Sequence, residues 1–558
     1  MNNTAIAENF SLLAKLMDIH GDNSFKAKSY SSAAFTIDKL TIPLAELPVD
    51  KIFSIRGIGD AIGKKIVEQI ETGQLSVLHE YLEKTPPGIL EMLGIKGIGP
   101  KKIATIWKEL EIESLGELLY ACNENRLTLY KGFGEKSQQN IKEAIKFYLG
   151  TLGSYLYQQM ESYADALDNK LKASFSQDQF MLTGEFRRQM EIINTLEWVT
   201  TSSIEQLTVF FTANEFDTIS VTDGYVSFKG KENITLGFHC TDAAHFFGQL
   251  FQTSCGEDFL TAWKSVAGWD PQKNYASEEA IFTSVNITPI PAFQRESAAI
   301  IEVAKSGPLP ELIQPEHIKG IIHSHSNWSD GANTLEQMAT AAKAKGLEYL
   351  VISDHSKSAF YANGLSEERI RAQHQQVDEL NARLAPFKIF KSIESDILND
   401  GNLDYSKEVL AGFDLVIASV HSNLKMNEEK AMMRLLNAIK NPFTSILGHM
   451  TGRLLLSRNG YPVNHALIIE ACVANQVVIE LNAHPRRLDI DWRWINDALK
   501  KNVLISIDPD AHSIDGYNDC RYGILAAQKA GLTKEQNLSS FSLAAFEEFI
   551  SMQKEKRP

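Results

Sequence analysis

The sequence has 558 residues, of which 44% are hydrophobic and 22% are charged, and its formal net charge is −15. This composition is typical of a soluble globular protein with large cores, and the length predicts several domains of roughly 100–200 residues each. The net negative charge argues against broad electrostatic binding of nucleic acid. Any DNA binding must therefore depend on local basic patches or backbone amides.

Membrane, secretion and disulfide signals are missing from the sequence. No run approaches the roughly 20 apolar residues of a membrane-spanning helix, and residues 1–40 lack a signal-peptide pattern. The five cysteines are scattered without a Cys-x-x-Cys pair, which indicates a reducing compartment. We therefore expect a cytoplasmic protein that has no membrane partner. A monomer is the separate expectation for its oligomeric state.

The first third of the chain is predicted to be helical and contains an internal repeat. Ile55-Arg-Gly-Ile-Gly-Asp-Ala-Ile-Gly-Lys-Lys-Ile66 recurs as Ile95-Lys-Gly-Ile-Gly-Pro-Lys-Lys-Ile103, and a weaker third copy covers residues 131–137. Glycines in such a turn can expose backbone N–H groups to a phosphate, and the following helix adds its positive N-terminal end. The repeat resembles the helix-hairpin-helix element, which implies binding of the DNA backbone without sequence readout. The implied contacts are Gly57, Gly59, Lys64, Lys65, Gly97, Gly99, Lys101 and Lys102.

The stretch from about residue 150 to 307 has a mixed pattern. Short alternating runs at Leu207–Phe211 and Tyr225–Phe228 predict strands. The segment Ser306-Gly-Pro-Leu-Pro310 predicts a linker.

After this linker, apolar runs alternate with helical patterns, which predicts an α/β unit with a parallel sheet or a closed barrel. The predicted strands are Gly320–His323, Tyr349–Ser353, Ile389–Ile393, Leu415–Val420, Ser445–Leu447, Val477–Leu481 and Val503–Ile507. The predicted helices are Leu335–Ala344, Glu367–Leu384, Glu428–Ile439, His465–Ala474 and Arg493–Lys501. Thr334 and Gln337 fit a capping box, and Gly346 fits a helix end.

Imidazoles and carboxylates lie at or just beyond the C-terminal ends of nearly all these strands. In a parallel barrel those ends meet on one face, where they can hold more than one divalent ion. A mixed nitrogen and oxygen ligand set suits zinc, manganese or iron better than magnesium alone. The candidate ligands are His323, His325, Asp330, His355, Glu394, His421, His449, Asp510 and His512.

The order of these residues along the chain resembles the PHP (polymerase and histidinol phosphatase) family, from about Ile318 to Phe546. The resemblance implies a distorted (β/α)7 barrel with three metal ions. One ion would be held by His323, His325, Glu394 and Asp510, a second by Glu394, His421 and His449, and a third by Asp330, His355 and His512. The sequence leaves two roles equally open for four arginines, contact with phosphate or an ordinary surface charge. These are Arg453, Arg458, Arg486 and Arg487. A structural role and an outer-shell role are equally open for His484.

Nearly the whole chain resembles the bacterial family X DNA polymerases in the order of its parts, and the resemblance includes Arg295-Glu296 and Gly307-x-Leu-Pro310 ahead of the barrel. The implied domains are a helical domain at 1–85, a helical fingers-like domain at 86–150, an α+β palm and thumb at 151–308, and the PHP barrel at 309–558. Lys65 lies near the lysine that forms a Schiff base with an abasic sugar in that family. A simple DNA-contacting role for this lysine is the preferred alternative.

The polymerase centre departs from that family. Glu185 replaces the expected serine, Thr195 the first aspartate and Glu197 the second, while the third strand, residues 234–240, has no acid. The nucleotide-pocket stretch is also altered, at residues 252–256. Since nucleotidyl transfer needs clustered carboxylates for its metal ions, we predict that this domain does not polymerise.

The ligand set and the DNA-binding repeats together favour a metal-dependent DNA phosphoesterase. We expect a 3′–5′ exonuclease with 3′-end or abasic-site processing in DNA repair. A small-molecule phosphatase of the histidinol phosphate kind is an alternative, although the long region ahead of the barrel argues against it. A non-catalytic DNA-binding module would not need so many costly buried ligands. A weakly active polymerase is the remaining alternative.

Overall fold

The computed structural model describes residues 1–123, 126–151, 153–230, 233–266, 268–270, 272–456 and 459–558. The chain divides into two compact units, Met1–Leu152 and Gly153–Pro558. Among the described residues, none of the helices combines the length and the apolar character needed to cross a membrane.

The first unit is helical, as the sequence predicts. Its amphipathic helices pack around one apolar core that includes Phe10, Ile66 and Ile103. The helices are α1 Asn3–His20, α2 Ser24–Asp38, α3 Val49–Phe53, α4 Asp60–Thr72, α5 Ser76–Glu83, α6 Pro87–Met92, α7 Pro100–Lys108, α8 Leu115–Asn123 and α9 Glu135–Thr151, with short 3-10 turns at Leu44–Glu46 and Arg126–Leu129.

The second unit begins with the middle region, which we define as residues 153–306. Its elements are β1 Tyr155–Leu156, α10 Tyr157–Ser174, β2 Phe180–Thr183, α11 Gly184–Arg187, β3 Ile192–Ile193, β4 Thr195–Thr200, α12 Ile204–Ala213, β5 Asp217–Thr222, β6 Tyr225–Lys229, β7 Thr235–Cys240, α13 Phe246–Thr253, α14 Glu257–Trp263, α15 Glu278–Thr283, a 3-10 turn Ala292–Gln294 and α16 Ala299–Ser306. A five-stranded sheet in the order β2-β4-β7-β6-β5 forms its centre. Only the β4–β7 pair of this sheet is parallel.

The strand predicted at Leu207–Phe211 is wrong, because these residues belong to helix α12. Ser203 caps this helix with Gln206 in a capping box, and the buried residues Leu207 and Phe211 are one helical turn apart. The strand predicted at Tyr225–Phe228 is confirmed as β6.

The remainder of the second unit is an α/β barrel that follows the predicted linker. Its elements are a 3-10 turn Pro315–His317, β8 Gly320–Ser324, α17 Leu335–Ala344, β9 Tyr349–Ile352, a 3-10 turn Phe360–Ala362, α18 Glu367–Leu384, β10 Lys388–Asp396, α19 Lys407–Leu410, β11 Leu415–Ser419, α20 Glu428–Lys440, β12 Ile446–Leu447, α21 His465–Asn475, β13 Val478–Asn482, α22 Trp492–Lys500, β14 Ile505–Asp508, 3-10 turns Ile514–Asp519, Lys534–Gln536 and Leu538–Ser540, α23 Cys520–Lys529 and α24 Leu543–Glu555.

All seven predicted barrel strands are present. They form a parallel seven-stranded sheet in sequential order from β8 to β14. A parallel bridge between Ser324 and Ala511 joins its two edges, so the barrel is nearly closed. The predicted helix starts and ends are also confirmed, because Thr334 and Gln337 form a capping box on α17 and Gly346 follows with a φ of 80°.

Ion pairs and hydrogen bonds join the middle region to the barrel within the second unit. Glu161 of α10 pairs with Arg521 and accepts a hydrogen bond from the Tyr522 hydroxyl at 2.8 Å. Glu191 accepts from Arg493 at 2.7 Å and from the Trp492 indole at 3.1 Å. These two contact groups fix the orientation of the middle region against the barrel.

Candidate metal centre

The candidate ligands lie on the face formed by the C-terminal ends of the barrel strands. His323 is within β8 and Glu394 within β10, while His421, His449 and Asp510 follow β11, β12 and β14. Parallel strands in sequential order carry their C-terminal ends to the same side, so residues far apart in sequence meet there. The structure brings all the predicted ligands together on this face.

The first predicted group consists of His323, His325, Glu394 and Asp510. Each offers one ligand atom, and these atoms lie within 4.8 Å of one another. Nε2 of His325 lies 3.1 Å from Asp510 Oδ1, and Nε2 of His323 lies 3.3 Å from Glu394 Oε1. This spacing is short enough for a single ion to contact all four side chains.

Glu394 is also the centre of the second predicted group. Its Oε1 lies 3.1 Å from His421 Nε2 and 3.0 Å from His449 Nε2. His355 belongs to this neighbourhood as well, with Nδ1 2.9 Å from Glu394 Oε2. The ligand atoms of His355, Glu394 and His421 all lie within 4.8 Å of one another. The structure therefore adds His355 to the second group that the resemblance implies.

The third predicted group is the most exposed. Asp330, His355 and His512 cluster together with His325. Nε2 of His512 lies 3.4 Å from Asp330 Oδ1, and these two side chains are 41% and 33% exposed. His323, His325 and Glu394 are fully buried by contrast. The centre is therefore open to solvent at its Asp330–His512 edge.

Two buried carboxylates orient the imidazoles from behind, and the sequence analysis did not identify them. Glu480 accepts from Nδ1 of His323 at 2.5 Å, and Asp396 accepts from Nδ1 of His421 at 2.5 Å. Such outer partners fix the ring so that Nε2 points to the centre. Glu480 lies inside β13, which has no other charged residue, and Asp396 ends β10 two residues after Glu394, so both acids are visible in the sequence.

Ionised carboxylates and protonated imidazoles balance each other in this cluster. Burial opposes the charge on His421, but Glu394 and Asp396 raise its pKa to about 10. Burial likewise opposes ionisation of Glu394, yet the His421 and His323 imidazoles hold its pKa well below the ordinary value. Burial and the His512 and His355 imidazoles lower the pKa of His325 to about 3. The carboxylates thus carry negative charge that a divalent cation can neutralise in place of the protons.

Buried ligand atoms that lack a good hydrogen bond also favour a metal ion at this site. Nε2 of His323, Nδ1 of His325 and Oε2 of Glu394 are buried and form no hydrogen bond of good geometry among the described residues, although Oε2 lies 2.9 Å from His355 Nδ1. An unsatisfied buried polar atom costs about 1–3 kcal/mol. Coordination of a divalent ion would offset this cost, and the mixed nitrogen and oxygen donors suit zinc, manganese or iron.

The backbone is strained at two of the ligands. His323 has a φ of 60° and Asp510 a φ of 52°, in the left-handed region that non-glycine residues rarely adopt. At His323 the pairing of β8 with β9 also shifts register, between Ile321 and Ser324. A bulge of this kind redirects a side chain, and strain held by the surrounding fold is typical of functional sites.

Asp354, directly before His355, positions the loop that carries Asp330. Its buried carboxylate accepts from the backbone N–H and hydroxyl of Ser326 at 2.8 and 2.7 Å, and from the Ser329 hydroxyl at 2.5 Å. Gln373 of α18 donates to the same carboxylate at 2.6 Å. The sequence contains the Asp-His pair, but the role of Asp354 depends on contacts that only the fold creates.

The four candidate arginines differ in their surroundings. Nε of Arg487 lies 3.7 Å from Asp510 Oδ2, beside the centre, and Arg486 is exposed. Arg453 instead donates to Asp491 at 2.6 Å and to the Arg487 carbonyl at 2.9 Å, so its guanidinium is used within the fold. Arg458 lies outside the described residues.

The predicted DNA-contacting glycines form equivalent turns in the first unit. Gly57 and Gly97 have φ values of 94° and 89°, and Gly132 of the weaker third copy has 94°. Gly59 and Gly99 then cap α4 and α7, and a Cβ added at either would meet no protein atom within 4 Å. These turns therefore leave room for a phosphate close to the backbone.

The lysines beside these turns have different surroundings. Lys64 and Lys101 are exposed and Lys65 is half-buried. Lys102 donates to the Ser137 hydroxyl at 2.8 Å, which ties the second turn to the third. Lys64 and Lys101 are thus the most accessible to a DNA strand.

The acids of the altered polymerase centre are paired with neighbouring residues. Glu197 on β4 lies 2.9 Å from Nε2 of His239 on the adjacent strand β7. Glu185 accepts from the backbone N–H of Asn194 at 2.6 Å and from its amide at 2.9 Å. Within the described part of the middle region, no three potential ligands cluster as they do in the barrel.

The altered nucleotide-pocket stretch is also tied to its surroundings. The Ser254 hydroxyl lies 2.8 Å from that of Thr183 and accepts from Arg187 at 2.8 Å. Arg187 also pairs with Glu278, and Arg188 donates to Glu296 at 3.0 Å. The side chains around this stretch are thus bonded to each other.

Comparisons with known proteins agree with this architecture. A helix-hairpin-helix domain model matches residues 1–75, a SAM-like helix-hairpin-helix tandem model matches residues 89–146, and a PHP domain model matches residues 322–484. The fold and the site thus define a multidomain protein with a hydrolase domain of the PHP family.

The full-length comparison identifies the family. The chain is 31% identical over 562 residues to DNA polymerase/3'-5' exonuclease PolX of Bacillus subtilis (strain 168). The alignment covers 96% of this chain and 97% of that protein. It therefore belongs to the bacterial family X DNA polymerases that carry a C-terminal PHP domain. It is also 24% identical over 245 residues to a probable phosphatase of Thermoanaerobacter sp. (strain X514), covering 42% of this chain and 95% of the relative. A probable phosphatase of Acetivibrio thermocellus is 29% identical over 170 residues, covering 29% of this chain and 64% of the relative.

Proposed function

We propose that this protein is a metal-dependent DNA phosphoesterase, a 3′–5′ exonuclease that processes 3′ ends or abasic sites in DNA repair. The observation that carries the proposal is the ligand cluster with one exposed edge, in a chain whose first unit holds helix-hairpin-helix turns. The full-length relative, named as a polymerase and 3′–5′ exonuclease, supports the same activity. The enzyme would act as a monomer on DNA without sequence readout.

We propose that the site holds three ions of manganese, zinc or iron, with the nine predicted residues as ligands. The ligands are His323, His325, Asp330, His355, Glu394, His421, His449, Asp510 and His512. Divalent ions in this set would lower the pKa of a bound water and neutralise charge on the phosphate oxygens.

The chain's own residues would position the substrate and the ligands. Glu480 and Asp396 hold the His323 and His421 rings in one orientation, so the centre needs little rearrangement. The exposed Asp330–His512 edge admits the scissile phosphate. Arg487, beside Asp510, is placed to donate hydrogen bonds to its non-bridging oxygens.

We propose further that polymerase activity is lost. Thr195 stands where a metal-binding acid is needed, and Glu197 is engaged by His239. One glutamate supplies too little negative charge to position two magnesium ions for nucleotidyl transfer. Measurable template-directed insertion of nucleotides by the purified protein would contradict this part of the proposal.

A small-molecule phosphatase is the second candidate, because relatives named as probable phosphatases match the barrel. The test compares kcat/KM of the manganese-loaded protein for a 3′-labelled oligonucleotide and for p-nitrophenyl phosphate. We expect the oligonucleotide to be the better substrate, and a Lys64→Ala/Lys101→Ala variant to lose activity only on DNA. A higher kcat/KM for the small ester would favour the phosphatase.

A further inference from the structure

A cleft of about 660 Å³ opens beside the exposed edge of the metal centre. Its lining includes Gln158, His484, Asp510, His512, Asp515 and Tyr522. The volume lies within the roughly 300–1,000 Å³ that is usual for small-ligand sites. Because two of these residues belong to the ligand cluster, a molecule in the cleft would lie directly against the place where the phosphate reacts.

One wall of this cleft comes from outside the barrel. Gln158 stands on α10 of the middle region and its side chain is exposed. Glu161, one helical turn further on, pairs with Arg521 and accepts from the Tyr522 hydroxyl at 2.8 Å. The middle region is therefore fixed where Gln158 lines the cleft.

The chemistry of the lining suits an uncharged group better than a second phosphate. Asp515 and Asp519 contribute carboxylates, and the guanidinium of Arg521 is already paired with Glu161. Carboxylates repel phosphate oxygens but accept hydrogen bonds from amino and hydroxyl groups. Gln158 can both donate and accept. A nucleobase and a sugar present such groups without the negative charge that inorganic phosphate carries.

We propose that this cleft binds the nucleoside part of the terminal nucleotide, and that Gln158 is a specificity-determining residue supplied by the middle region. The inference rests on the proposed DNA phosphoesterase function. It gives the middle region a task that needs no polymerase chemistry: the region forms the wall that distinguishes a nucleotide from a bare phosphate ester.

The test measures binding of deoxyadenosine monophosphate and of inorganic phosphate to the manganese-loaded full-length protein by isothermal titration calorimetry. The wild type should bind the nucleotide about 10-fold more tightly than phosphate, since two or three additional hydrogen bonds are made. Gln158→Ala and Glu161→Gln should each reduce this ratio at least about 3-fold while phosphate binding stays unchanged. Asp165→Asn, one turn beyond Glu161 on the same helix and exposed, is the matched control and should keep the ratio.

The proposal is overturned if the wild type does not prefer the nucleotide, or if Gln158→Ala keeps the full preference. A parallel assay with 3′-labelled DNA distinguishes a failure of the proposed function from a failure of the cleft assignment. A wild type that prefers the nucleotide but cuts no DNA contradicts the proposed function and leaves the cleft assignment standing. A wild type that cuts DNA without nucleotide preference contradicts the cleft assignment alone.

Discussion

Glu480→Gln tests whether the buried carboxylate behind His323 controls metal binding. Oε2 of Glu480 accepts from His323 Nδ1 at 2.5 Å, and Oε1 accepts from the backbone N–H of His449 at 3.0 Å. Glutamine has one acceptor oxygen, so its amide nitrogen must face either the His323 ring or the His449 N–H. The substitution therefore removes the charge behind one ligand and disturbs the position of another.

Loss of an outer carboxylate partner typically lowers metal affinity about 10- to 100-fold, or about 1.4–2.7 kcal/mol. Manganese titration with p-nitrophenyl phosphate hydrolysis as the readout, together with metal analysis of the dialysed protein, measures this loss. Excess manganese should restore much of the activity. Glu348→Gln is the matched control, because Glu348 accepts from the Leu543 N–H at 2.7 Å at the other end of the barrel. Unchanged manganese affinity in Glu480→Gln would refute the reasoning.

Three further predictions concern the loop that carries Asp330, the helix-hairpin-helix turns, and the contact between α23 and the middle region. Asp354→Asn should lower the free energy of unfolding in urea by about 3 kcal/mol, since a charged acceptor of several hydrogen bonds is lost; an unchanged midpoint would contradict this. Gly59→Ala should keep the stability of the protein, because its Cβ would meet no protein atom, but it should weaken DNA binding measured by fluorescence anisotropy. Gly57→Ala, at a φ of 94°, should instead lower the free energy of unfolding by about 1 kcal/mol. Lys529 of α23 donates to the Arg188 carbonyl at 2.5 Å and to Glu296 at 3.2 Å, and burial lowers its pKa to about 8. Its ammonium therefore destabilises the fold below that pH, and the unfolding free energy of the wild type relative to Lys529→Met should rise from about pH 8 to 10.5. A constant difference over that range would contradict the lowered pKa of Lys529.

The sequence predicted the barrel well because its strands and helices have clear periods. Several of the buried parallel strands are short apolar runs, as in β9 and β11, and most of the helices that follow the strands begin at a side-chain cap, as at Thr334. The ligands could be found because they lie where such runs end. The strand prediction at Leu207–Phe211 failed because a short apolar run is compatible with either structure.

Contacts between distant residues were not predictable from one sequence. Glu480 and His323 are 157 positions apart, and only barrel closure brings them together. Similarly, 360 positions separate Glu161 from Arg521. Ligand types and strand ends can be deduced locally, but the partners behind the ligands depend on the completed fold.

The most direct measurement follows the length of a labelled primer on a template with manganese and all four nucleotides present. We predict that the wild type shortens the primer from its 3′ end and never lengthens it, because we propose that the barrel holds the competent catalytic centre. The His323→Ala/His325→Ala variant should leave the primer unchanged. A primer that grows, or one that the variant shortens as fast as the wild type, would contradict the account.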